Sequence, residues 1–194
     1  MAGPFSQIGA YDQTNAGNRF CGMLATAAAI PIQSTTAPVA PLWCRTGANV
    51  KLIPERLSIS YVSGTGVAGG MLLNQLQASG AAPGTGLPLT SFTAGVIGTT
   101  IFCTKLGAGN LPQGSWGTVA ALTTAGVPFL SLGMSQLVTT AATTTATGWT
   151  WDYYFYDTVI VMPGTIIYPT AIAATVSIYN ISWIWREAPV TDGQ

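Results

Sequence analysis

The clearest pattern of apolar and polar positions in this chain lies in the segment VKLIPERLSISYV, residues 50 to 62. Leu57, Ile59 and Tyr61 fall on one side of an extended backbone, and the two intervening serines fall on the other. This period of two predicts a strand with one buried face, as is common in antiparallel sheets.

Further short segments, separated by stretches rich in Gly and Pro, are candidates for strands. No segment of twelve residues shows an amphipathic helical stripe. Together these features predict an all-β protein, a sandwich or a barrel of antiparallel strands. The further candidate strands are MLLNQLQ (71–77), TTIFCTKL (99–106), WGTVAALT (116–123), WTWDYYFY (149–156), TVIVM (158–162) and ATVSIYNISWIW (174–185).

The last of these segments changes parity along its length. Apolar residues occupy even positions up to Ile178 and odd positions from Ile181 to Trp185. A β-bulge near Tyr179 or Asn180 would keep both groups on the buried face, so we predict one there.

The stretch from Thr158 to Trp185 contains no charged residue and is long enough for a membrane-spanning helix. It also contains Pro163 and Pro169 and is dense in β-branched and aromatic residues. The sequence MPG therefore predicts a strand, a turn and a longer strand, and we expect no membrane partner.

The chain is most simply divided into an extended N-terminal arm with a first edge segment, residues 1–40, and a β-sandwich domain, residues 41–194. The arm contains small apolar residues, Gly and Pro without a helical period. Its beginning lacks the basic and apolar regions of a secretory signal, so we expect synthesis in the cytoplasm.

Charged residues are scarce, at 6% of the chain against a typical ~25%, with six Lys or Arg, six Asp or Glu, no His and a formal net charge of zero. A free monomer with so few charges is poorly protected against association. We therefore expect copies of the chain or another protein to cover part of its surface. The scattered Lys and Arg residues argue against nucleic acid as a partner.

The segment SGTGVAGG fits the pattern GxGxxG of a dinucleotide-binding turn, with Gly64, Gly66 and Gly69. That fold needs a long helix from Gly69 and an acidic residue about 20 positions later. The apolar run after Gly69 is too short, and no Asp or Glu occurs between Glu55 and Asp152. We interpret the segment as a loop joining two strands and expect no cofactor.

The sequence lacks the combinations of residues that common catalytic mechanisms use. Without His, a Ser or Cys nucleophile lacks its usual base, and we expect the protein not to be an enzyme. Asp152 and Asp157 could form a carboxylate pair for glycoside hydrolysis, but we interpret Asp157 as a turn residue and Asp152 as facing solvent. Three cysteines without CxxC spacing indicate neither a disulfide framework nor a metal site, and we expect them to be small buried residues: Cys21, Cys44 and Cys103.

Six aromatic residues between positions 149 and 156 could line a sugar-binding surface or pack in the core or at a subunit contact. Because alternate residues of a strand face opposite sides, only half of this cluster can share a face.

Two parts of the chain resemble small structural proteins of tailed bacteriophages. These parts are PLWCRTGANVKLIPERLSISYVSGTGVAGG and DTVIVMPGTIIYP with ATVSIYNISWIWREAPV. They correspond to an LWNP-like turn, a VSGT loop, a PG hairpin and a terminal strand ending in W-x-E-x-P. Cys44-Arg45 replaces the usual Asn-Pro of the turn.

The resemblance implies a single jelly roll, often trimeric, on the surface of a virion capsid. It implies a cement or decoration protein, made in the host cytoplasm, that self-associates, binds the major capsid protein and stabilises the capsid lattice. The alternatives are a fibre or appendage module that recognises host glycans and a self-assembling capsid shell protein. Six apolar or aromatic residues of the arm and the last strand are candidate assembly contacts: Phe5, Ile8, Tyr11, Phe20, Trp183 and Trp185.

Deletion of residues 2–18 should leave the melting transition almost unchanged but weaken attachment to the particle. Phe5, Ile8 and Tyr11 are separated by Gly and polar residues and bury little surface on their own. Each could contribute on the order of 2 kcal/mol when buried against a neighbour, before ordering costs. Calorimetry and capsid co-sedimentation measure the two effects; unfolding of the truncated protein, or full occupancy on capsids, would contradict this expectation.

Overall fold

The computed structural model describes residues 19–24, 27–44, 46–64, 70–77, 101–105, 115–116, 122, 124–133, 150–173 and 177–190. These residues contain eleven strands and no helix. The strands are β1 (Arg19–Leu24), β2 (Ala28–Ala29), β3 (Leu42–Trp43), β4 (Val50–Ser63), β5 (Met71–Gln77), β6 (Ile101–Lys105), β7 (Ser115–Trp116), β8 (Val127–Ser131), β9 (Thr150–Tyr154), β10 (Thr165–Ala171) and β11 (Ile178–Pro189).

The strands form two antiparallel sheets. The front sheet has the order β6-β1-β11-β4-β9, and β2 also pairs with β11. The back sheet has the order β7-β3-β10-β5-β8. The main apolar core contains inward-facing residues of both sheets, so the protein is an all-β sandwich, as the sequence predicts.

The alternation in β4 is confirmed, because Leu57 and Ile59 are buried in the main core. The bulge predicted in β11 is wrong, because burial alternates regularly from Ile178 onward and Ile178 itself faces away from the core. The pairing with β4 does shift between Ile178 and Tyr179, but the extra residue is Val62 on β4. A second shift lies between Ile184 and Trp185, where the extra residue on β4 is Glu55. The sequence pattern did not predict this second irregularity.

Strand β1 lies inside the stretch that was expected to be an arm. It is an interior strand, paired with β11 on one side and β6 on the other. Phe20 and Leu24 enter the core, whereas Gly22 between them has no side chain and hides the alternation. Residues 1–18 lie outside the described residues.

The segment TVIVM is not a strand, and its prediction is wrong. Only Val161 forms an isolated bridge, with Leu52, beyond the end of β9. Of WGTVAALT, Trp116 belongs to β7, and most of the remainder lies outside the described residues. Strands β8 and β10 were not predicted separately.

The back sheet is buried on both faces along β10. Ile167 and Ala171 belong to the main core, whereas Ile166 and Tyr168 pack with Leu122 in a second cluster on the outer face. Leu122, from the connection between β5 and β8, thus covers part of the outside of the back sheet.

Asn74 of β5 joins this cover to the back sheet. Its side-chain amide donates to the carbonyl oxygens of Gln33, at 2.9 Å, and Gly126, at 3.2 Å. Its carbonyl oxygen accepts from the hydroxyl of Thr170 at 3.0 Å. The Gly126 N–H donates to the Tyr168 hydroxyl at 2.7 Å, so the buried polar atoms of these residues satisfy one another.

Substitution Asn74→Ala should lower the free energy of unfolding by about 2–4 kcal/mol, because it leaves the buried Gly126 carbonyl and Thr170 hydroxyl, and the partly buried Gln33 carbonyl, without their partner. Urea denaturation followed by tryptophan fluorescence measures the change. Gln75→Ala, at the exposed neighbouring position of β5, is the control and should change stability by no more than about 0.5 kcal/mol. Equal effects of the two substitutions would contradict this role for Asn74.

Candidate assembly surface

The outer face of the front sheet carries most of the charged side chains that the structure describes. Phe20, Trp183 and Trp185 point inward, so their strand neighbours Arg19 and Arg186 point outward. Cross-strand pairing brings these two arginines directly opposite each other. Two like charges in this position repel unless carboxylates lie between them.

Glu55 and Asp157 supply these carboxylates. Arg19 Nε lies 2.7 Å from Glu55 Oε2, and Arg186 Nη2 lies 2.6 Å from Asp157 Oδ1. Arg186 Nε is also 4.0 Å from Glu55 Oε1. The bulge at Glu55 is what places its side chain between the arginines, so an irregularity of the backbone creates the network.

Beside this network, β4 and β9 present small polar side chains in register. Ser58 donates to Asp152, and the hydroxyls of Ser60 and Thr150 are 2.9 Å apart. Asp152 faces outward and Asp157 lies in the turn after β9, as the sequence predicts. This part of the face is flat, because its side chains are short.

The turn after β9, Phe155–Thr158, has an unusual backbone. Tyr156 has φ 48° and Asp157 has φ 60°, so both central residues are left-handed. The Thr158 N–H donates to the Phe155 carbonyl at 2.9 Å, which closes a turn of the type I′ kind. Gly, Asn or Asp normally occupy such positions, and a tyrosine there is strained.

Four large side chains project from β9, from this turn and from the segment after it. Val161 pairs with Leu52 and points into the core, so its two neighbours in the chain point outward. Strand β4 pairs with β11 along one edge and with β9 along the other. The segment around Val161 therefore pairs with the edge of β4 that also pairs with β9. We call the four exposed residues the tyrosine patch: Tyr154 (49% exposed), Tyr156 (83%), Ile160 (49%) and Met162 (43%).

Arg56 and Cys21 lie beside the ion-pair network, Arg56 next to the tyrosine patch and Cys21 on β1, on the far side of β11. Arg56 pairs across the sheet with Tyr154, and its buried Nε has no hydrogen-bond partner among the described residues. Burial raises the pKa of the Cys21 thiol, and the positive charges of Arg56 and Arg19 offset part of this rise. Of the cysteines expected to be buried, Cys44 is buried and Cys21 is half-buried on this outer face.

Three of the candidate contacts lie in the core of a single chain. The rings of Phe20 and Trp185 are 5.8 Å apart, and Trp183 stacks on Phe155 at 5.8 Å. The Trp183 indole N–H donates to the Ala40 carbonyl at 2.9 Å. The other three candidates, Phe5, Ile8 and Tyr11, lie outside the described residues.

The aromatic cluster of β9 divides between two faces, as expected from its alternation. Trp151 and Tyr153 face inward and are half-buried, whereas Tyr154 faces outward. Trp149 lies outside the described residues. The sequence identified the cluster but not which of its members remain exposed.

The described residues also bear on the dinucleotide pattern, on metal ligands and on membrane-spanning helices. The dinucleotide pattern requires a helix after Gly69, but residues 71–77 form strand β5. Its residues 65–69 lie outside the described part of the chain. Within the described ranges, no three His, Cys, Asp or Glu residues are grouped closely enough to hold a metal ion. The same ranges contain no helix with the length and hydrophobicity needed to cross a membrane.

No protein-family model matches this sequence, and no curated protein or solved structure matches it either.

The Cys21 thiol should titrate at a higher pH in the folded protein than in the protein unfolded by urea. Burial disfavours the thiolate, so alkylation by iodoacetamide should reach its half-maximal rate at higher pH. The measurement uses a variant with Cys44→Ser and Cys103→Ser, so that only Cys21 reacts. Arg56→Ala should move the midpoint still higher, since it removes a charge that favours the thiolate; a midpoint below that of the unfolded protein would contradict the assignment.

Proposed function

We propose that this protein is a structural subunit of a bacteriophage virion, a cement or decoration protein that self-associates and binds the capsid lattice. The observation that carries the proposal is the charge-poor sandwich with an exposed tyrosine patch on one sheet edge. Exposed Tyr, Ile and Met side chains beside arginines are typical of protein–protein contacts.

The proposal includes a jelly-roll topology, and the strand pairing supports it. Three short or peripheral strands are set aside first: β2, β6 and β7. The remaining eight strands then pair first with last, second with seventh, third with sixth and fourth with fifth. These pairs are β1 with β11, β3 with β10, β4 with β9 and β5 with β8. A long antiparallel hairpin wrapped into two sheets has this nested order, and viral capsid domains use it.

Charge distribution supports a structural role on a particle. The arginines and carboxylates of the front sheet neutralise one another within the chain, so this face has little need of an oppositely charged ligand. A neutral, weakly charged surface can lie against many identical neighbours without accumulating repulsion. Symmetry and avidity then convert weak individual contacts into stable attachment.

A glycan-binding appendage is the second candidate. The observation that favours it is the flat polar area of Ser58, Ser60 and Asp152 beside the exposed ring of Tyr154. Sugars stack on such rings and bind such hydroxyl and carboxylate groups. The aliphatic side chains of Ile160 and Met162 are better suited to a protein contact, which is why we place this candidate second.

The purified protein should be oligomeric at micromolar concentration, with a trimer favoured, and should decorate the capsid surface. Light scattering over a dilution series measures the first property; a monomer at all concentrations would contradict self-association. Cryo-electron microscopy of the native particle, labelled with an antibody to the protein, measures the second. Knobs on the capsid are expected, whereas label on fibres or in the shell itself would support the alternatives instead.

A further inference from the structure

The turn Phe155–Thr158 holds a tyrosine in a conformation that its backbone disfavours. A bulky side chain with φ 48° clashes locally, and Asp157 beside it is also left-handed. Glycine or asparagine at position 156 would adopt this backbone with less strain. A different residue at position 156 would therefore make the folded single chain more stable.

Several contacts keep the turn in this conformation. Thr158 donates to the Phe155 carbonyl from both its N–H, at 2.9 Å, and its hydroxyl, at 2.5 Å. The Phe155 N–H donates to the Glu55 carbonyl at 3.0 Å, and the Phe155 ring stacks on Trp183 in the core. Together with the ion pair of Asp157 and Arg186, these contacts fix both ends of the turn.

The side chain presented by this turn contributes little to the fold. Tyr156 is 83% exposed, and its ring contacts the ring of Tyr154 at a centroid distance of 6.1 Å. Strain that persists at an exposed aromatic residue is typical of a residue that functions in binding. A rigid turn also removes part of the entropy cost of ordering that residue in a contact.

The charges around the tyrosine patch indicate what kind of surface it contacts. Asp157 and Arg186 neutralise each other at 2.6 Å, so neither is available to a strongly acidic or basic partner. The complementary surface is therefore neutral and apolar. A second copy of this chain has that character, since it has zero formal net charge and 6% charged residues and exposes Val127 and Phe129 on β8.

We infer that Tyr156 is the anchor of the contact between two copies of this chain, and that the strained turn is retained to present it. The inference rests on the self-association that the proposed function includes. It specifies which residues make the contact: the tyrosine patch of one copy lies against an apolar surface of the next copy.

The decisive variants are Tyr156→Gly and Tyr156→Asn, which relieve the strain and remove the ring. Each should raise the melting temperature, by roughly 2–4 °C, while weakening self-association at least tenfold. Differential scanning calorimetry of the dilute protein and analytical ultracentrifugation measure the two effects. Opposite signs for stability and association are not expected if Tyr156 acts only within the fold.

Two control variants separate the ring from general effects of surface change. Val62→Ser alters another exposed apolar residue, 54% exposed, near the other end of β4 and should leave association unchanged. Tyr156→Phe keeps the apolar ring and should retain association within about threefold. A larger loss in this variant would place the interaction in the hydroxyl group and contradict the apolar anchor.

The outcomes distinguish this inference from the proposed function. If the wild-type protein is monomeric, both fail. If it is oligomeric and Tyr156→Gly associates equally well, only the inference fails. Lower stability together with lost association would show that the turn serves folding, which also overturns the inference. Binding of the wild type, but not of Tyr156→Gly, to a glycan array with unchanged association would assign the ring to sugars instead.

Discussion

Pairing of β11 with β4 is the interaction on which the rest of the structure depends. It runs over the 12 residues Ile178–Pro189, which places Trp183 and Trp185 beside Leu57 in the core. Burial of these rings removes a large apolar area from water. The pairing also fixes which side chains lie on the outer face, because each inward-facing residue of a strand has outward-facing neighbours. The charged network and the polar area of the front sheet follow from this register.

The bulge at Glu55 shows how one extra residue changes the chemistry of a sheet. A regular ladder would keep the arginines of β1 and β11 side by side without a carboxylate between them. The inserted residue supplies that carboxylate, and its carbonyl binds the start of the turn after β9. The shape of the tyrosine patch is therefore coupled to the interior of the sheet through the backbone of a single residue.

Sequence reasoning succeeded where one face of a strand is buried. The alternation of β4 is a direct record of that burial, whereas the apparent parity change in β11 arises because the apolar residue Ile178 faces away from the core. Sequence reasoning did not define β10 as a separate strand, because β10 is covered on both faces and contains Pro169, so its apolar and polar residues do not alternate clearly. Pairing of β3 with Ile166 and Ile167 alone leaves Pro169 beyond the end of β3, which explains why proline is tolerated there.

The candidate surface was less predictable than the fold. The aromatic residues near position 155 were visible, but their division between core and surface depends on a turn whose left-handed residues carry none of the usual glycine signal. The bulge at Glu55 was hidden because Ile53, on the outer face, is apolar and masks the parity change between Leu52 and Leu57. Both features arise from tertiary contacts that override local preference.

Pairing between β1 and β11 has a consequence for biosynthesis. Residues 19–24 leave the ribosome long before residues 178–189, yet the front sheet cannot close until both are present. The nascent chain therefore carries its tyrosine turn without the Arg186 and Trp183 contacts that shape it. The backbone of this turn therefore acquires its full set of contacts only after β11 has paired with β4.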